Sequence, residues 1–255
     1  EWVVQPYNCV TAINIEVVQI RRDWDSDLLQ LLDYLGPLYF PCVHSLRFSV
    51  SLEVAGNGHL LGTLNVLARS WAIQELVISD PDSEDSYYVD NITVTAICRL
   101  LVSLGDKLKT LSLGYFCEVP GAVLDVIVQH CPNITNLLPN SSFADDVDMD
   151  RYLEACVRCK HLEVLDIGKN YGLVWDDSLV ASAMQQLGSL KAFLCDDDQC
   201  QTFQAAAACL THCPLIENIN LKGLLLCTID RSAAGGARSS LQLMCKGAQV
   251  DSEAF

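Results

Sequence analysis

The chain has 255 residues, 51% of them hydrophobic, with a mean hydropathy of +0.25, enough to bury a large core. It contains no uncharged apolar run of the roughly 18 residues that would suggest a membrane span. Lys and Arg number 16 against 32 Asp and Glu, a formal charge of -16. That balance disfavours binding to nucleic-acid phosphates and favours protein partners with basic surfaces.

The sequence starts at Glu1, without Met and without a basic stretch leading into an apolar run, so a processed product or a fragment of a longer protein is expected. A pattern then begins and recurs: an apolar residue, two free positions, an apolar residue, one free position, an apolar residue. Its copies are Val10/Ile13/Ile15, Val43/Leu46/Phe48, Ile73/Leu76/Ile78, Leu108/Leu111/Leu113, Ile134/Leu137, Leu162/Leu165/Ile167, Leu190/Phe193/Cys195 and Ile216/Ile219/Leu221. A ninth, around Leu241 to Met244, fits loosely. Successive central residues lie 33, 30, 35, 26, 28, 28 and 26 residues apart. Between copies the apolar spacing is helical, as in Leu60, Leu61, Leu64, Leu67 and Ala68, or Ile97, Leu100, Leu101 and Leu104.

Each unit therefore reads as a short strand followed by a helix. One such unit cannot bury its apolar side alone, but a stack places the strands in one parallel sheet under a layer of helices. The expected fold is α/β, a solenoid or horseshoe with parallel strands on the concave face and helices on the convex face. A doubly wound sheet also alternates strands and helices, but it imposes no common register on its strands. The solenoid of about eight repeats is placed at residues 1–226. A C-terminal loop with a possible capping strand follows at 227–255, where Arg231 to Ser240 is small, polar and weakly periodic. Either Leu241 to Cys245 pairs as a final edge strand, or a neighbouring protein covers the end of the core.

Cysteines mark a second regularity. Cys131, Cys159 and Cys213 each stand three residues before the first apolar residue of a copy, in Cys131-Pro132-Asn133-Ile134, Cys159-Lys160-His161-Leu162 and Cys213-Pro214-Leu215-Ile216. Ser70, Gly105 and Leu187 occupy the same slot elsewhere. It is a place for a small or apolar side chain at the helix end, where a thiol acts as a compact hydrophobe. At these residues the chain resembles the cysteine-containing leucine-rich repeats of F-box/LRR substrate receptors and ribonuclease-inhibitor-like proteins. The resemblance covers residues 105 to 225 well and the first hundred loosely. Asn170 matches the family's asparagine turn position, while Ser142, Asp198 and Leu224 depart from it.

Thirteen cysteines cannot all pair within one chain, so a reducing compartment, cytoplasmic or nuclear, is expected. Three glycosylation-type sequons, at Asn91, Asn133 and Asn140, stand for the extracellular alternative.

Two surfaces are candidate partner-binding sites. Asp80, Asp82, Glu84 and Asp85 follow one strand; Asp145, Asp146, Asp148 and Asp150 another; Asp176 and Asp177 a third; Asp196, Asp197 and Asp198 a fourth. Equivalent loops of stacked repeats align, which predicts an acidic rim. The competing account is that each acid caps the helix that follows it. The second surface is the concave sheet face, where alternation places Asn14, Arg47, Glu75, Ser112, Asp166, Asn218 and Asn220.

Catalytic signatures are sparse. Cys156-Val157-Arg158-Cys159 has the gap of a zinc or redox pair, but no second pair completes a tetrahedral site. Cys195, Cys200, Cys209, His212 and Cys213 fall across a strand, a loop and a helix. The acidic loops lack the Asp/Asn and Gly spacing of a calcium loop. No phosphate-binding glycine loop or nucleophile-elbow serine occurs, and the histidines at 44, 59, 130, 161 and 212 show no ligand spacing. The expectation is a protein without catalytic residues, metal or cofactor: an architectural or scaffold subunit of a larger assembly. The alternative is the recognition domain of an F-box/LRR-type ubiquitin-ligase receptor. It would hold its Skp1-type adaptor through a segment outside this chain.

Overall fold

The structure is a computed structural model. It describes residues 12–17, 42–50, 72–79, 91–114, 119–139, 147–167, 173–195, 204–221, 225–230 and 240–244. The helix expected around Leu60 to Ala68 lies outside them.

Among the described residues ten strands form one sheet whose spatial order is their order in the chain. They are β1 (Ala12–Val17), β2 (Ser45–Val50), β3 (Glu75–Ser79), β4 (Thr110–Gly114), β5 (Asn136–Leu138), β6 (Val164–Asp166), β7 (Ala192–Cys195), β8 (Asn218–Leu221), β9 (Leu225–Asp230) and β10 (Ser240–Met244). From β1 to β8 every pairing is parallel. β9 and β10 then reverse direction and pair antiparallel. From β3 onward a helix separates each parallel strand from the next: α1 (Asn91–Leu104), α2 (Gly121–His130), α3 (Met149–Arg158), α4 (Asp177–Met184) and α5 (Gln204–His212). Each of these helices packs against its successor. The chain is thus α/β, built on a parallel sheet, as the alternating periodicities require.

The recurring apolar triplet explains why the strands align as they do. Ile13, Leu46, Leu76 and Leu111 are direct neighbours across the sheet, and Leu137, Leu165, Phe193 and Ile219 continue the column. A slip of one residue would turn a buried column to the other face, so burial itself fixes the register. From Leu46 to Ile219 no member of this column exceeds 1% exposure. The residues three positions earlier, Val43, Ile73, Leu108, Ile134, Leu162, Leu190 and Ile216, are buried as well. Helix residues at three- and four-residue spacing complete the core, including Ile97, Leu100, Leu101 and Leu104 of α1 and Tyr152, Leu153 and Cys156 of α3. The helices therefore cover the side of the sheet to which the triplets point.

Backbone hydrogen bonds repeat with the same period. Where the chain enters each strand, one carbonyl accepts two N–H groups from the next unit. His44 O takes Gln74 N at 2.7 Å and Glu75 N at 3.0 Å, and Gln74, Lys109, Thr135, Glu163 and Lys191 do the same for the units that follow. These bonds satisfy amides that the short strands would otherwise leave unpaired. α1 closes on Gly105, whose φ of 53° is the left-handed geometry that favours glycine after a helix. No helix among the described residues is long and apolar enough to cross a membrane.

Candidate interaction surface

On the side of the sheet away from the helices, strand alternation brings two rows of side chains together. One contains Glu75, Thr110, Asn136, Val164, Ala192 and Asn218, and the other Val77, Ser112, Leu138, Asp166, Leu194 and Asn220. Glu75 and Asp166 are half-buried, Asn218 and Asn220 exposed, and Ser112 is buried. Arg47 sits in the second row by register, paired between Asn14 and Val77, but its side chain is outside the described set. The structure thus gathers Glu75, Asp166, Asn218 and Asn220 on one face.

That face is less polar than the residues singled out from sequence suggest. Val77, Leu138, Val164 and Leu194 are half-buried on it, interleaved with Ser112 and Asp166. Each occupies the free position beside a triplet's central residue. The polar residues at neighbouring free positions mask this apolar share in the sequence. Asp166 is held from behind, since the hydroxyl of buried Tyr152 donates to its carbonyl at 3.0 Å. Burial, reinforced by nearby Cys156, raises the Tyr152 pKa and keeps the phenol protonated as that donor.

Of the acidic rim, Asp80, Asp82, Glu84, Asp85, Asp145, Asp146, Asp196, Asp197 and Asp198 lie outside the described residues. Those described have local work. Asp148 is the N-cap of α3, its Oδ1 accepting from Arg151 N at 2.8 Å. Asp176 caps α4, accepting from Ser178 N at 2.8 Å, from Leu179 N at 3.2 Å and from the Ser178 hydroxyl. The Ser178 hydroxyl and these two amides hold its carboxyl below the usual range. Asp177 accepts from the indole N–H of Trp175 at 3.0 Å. Asp150 is exposed in the first turn of α3, where a negative charge complements the helix dipole. For Asp148 and Asp176, helix capping accounts for the residue type.

The cysteine slot joins successive units. Cys131 Sγ donates to Leu101 O at 3.6 Å and Cys213 Sγ to Met184 O at 3.5 Å, and both carbonyls belong to the last turn of the preceding unit's helix. Carbonyls in a helix's last turn lack an amide partner further along that helix; Met184 O takes Leu187 N at 3.3 Å, and at this position the thiol adds a small donor while filling the core. Burial pushes the Cys131 thiol up to about 12 and the Cys159 thiol up to about 11. Burial also raises Cys156, and a hydrogen bond with Cys213 together with burial raises Cys209. Nucleophilic attack and metal ligation need the thiolate, which these environments oppose. The Cys156 and Cys159 pair therefore has the setting of core thiols.

Polar side chains also reach from unit to unit at this end. Asn133 Nδ2 donates to Asp106 O at 2.8 Å, Ser189 Oγ to Lys160 O at 3.3 Å, and Lys191 pairs with Glu163 at 2.9 Å. Of the three sequon asparagines, Asn133 thus has its amide engaged by the fold, Asn91 opens α1, and Asn140 lies outside the described residues. The sequence matches no protein-family model and no curated protein.

Proposed function

We propose that this chain is a leucine-rich repeat solenoid that works as a non-catalytic docking scaffold in a larger assembly, binding proteins with basic surfaces. One observation carries the reading: the face of the sheet away from the helices presents Val77, Leu138, Val164 and Leu194 around the acids Glu75 and Asp166. Half-buried apolar side chains mixed with carboxylates suit a partner that brings apolar groups and a few cations. Sequential strand order and helix-on-helix stacking support the solenoid, in which successive units extend one continuous surface. The odd number of cysteines, 13, supports a reducing compartment, cytoplasmic or nuclear.

The slot residues Cys131, Cys159 and Cys213 favour a second reading, because they carry the resemblance to F-box/LRR receptors. In that reading the same face holds a substrate, and a Skp1-type adaptor binds a segment outside this chain. Purifying the full-length protein from its source, with and without Leu138→Glu and Leu194→Glu, tests both. A fixed stoichiometric set of proteins lost in the variants supports the scaffold. Recovery of an adaptor and cullin that persist in the variants supports the receptor. Unchanged capture of every partner by variants of unaltered thermal stability refutes the assignment of this face.

A further inference from the structure

We draw no further inference here: the strongest candidate, the antiparallel end of the sheet where Cys227 and Leu243 extend the Ile219 column beyond α5, is an apolar sheet end, and nothing in the structure shows what covers it.

Discussion

Leu137 and Leu138 are consecutive residues of β5, identical in chemistry and opposite in direction. Leu137 is 1% exposed within the column facing the helices, whereas Leu138 is half-buried on the other face. Truncating Leu137 to Ala removes buried methyl groups and leaves a cavity between sheet and helices, a change that costs about 3 kcal/mol in well-packed cores. Truncating Leu138 opens no enclosed cavity and loses only part of a side chain's transfer energy, about 1 kcal/mol or less. With a urea slope of about 3 kcal/mol per molar for a chain this size, the Leu137→Ala midpoint falls by about 1 M and that of Leu138→Ala by about a third as much. Urea unfolding followed by far-ultraviolet circular dichroism measures both. Equal losses, or the larger loss at Leu138, would refute the assignment of the two faces and the interaction surface built on it.

Gly105→Ala places a Cβ on a residue at φ 53°, and the left-handed conformation should lower stability by about 1 kcal/mol, read as a shifted thermal midpoint. Gly105→Asn should cost less, because asparagine tolerates this conformation better than alanine. Thiol labelling at pH 8 in the native state should modify exposed Cys42 quickly and leave Cys131, Cys156, Cys159, Cys209 and Cys213 protected until urea is added. Mass mapping of the labelled peptides reads this out, and rapid native labelling of Cys131 or Cys159 would contradict thiols held near 12 and 11.

How much of this was legible in the sequence differs from element to element. The central column was, because a side chain whose burial fixes the register must be apolar in every unit, and Leu46, Leu76, Leu111, Leu137, Leu165, Phe193 and Ile219 are. The cysteine slot was legible as a position but not as an interaction. Nothing in the spacing of Cys131 and Cys213 names Leu101 and Met184 as acceptors, since that depends on how one helix end sits above the next. The opposite face was only half legible. Its side chains answer to no common burial requirement, so Val77, Ser112, Leu138, Asp166 and Leu194 vary freely along one row and leave no periodic trace. The sequence also admits local capping as a rival explanation of the acidic loops. Which acid caps which amide required the geometry of Asp148 and Asp176.

The capping geometry also offers a way to test the partner-binding role proposed for the acids against capping. A helix start needs one side-chain acceptor for its free N–H groups. Asp176 fills that need for α4 with a single oxygen, so its contribution belongs to stability. Its folded pKa lies below the ordinary 3.8, so its contribution is present above that value and is lost as pH falls through the depressed folded pKa. Asp176→Ala should therefore lower the thermal midpoint at neutral pH, converge on the parent in acid, and leave capture of a basic partner unchanged. Asp196, Asp197 and Asp198 exceed the need of a single cap, so replacing all three with Asn should do the reverse. Capture should weaken and lose part of its salt dependence, because fewer charges act over the ~10 Å screening length at about 0.1 M salt, while the melt stays in place. Melting curves and titrations at two ionic strengths, made on both variants, decide the matter. If the triple variant melts earlier while its binding is unaltered, those acids are helix caps as well, and the partner surface contracts to the open face of the sheet.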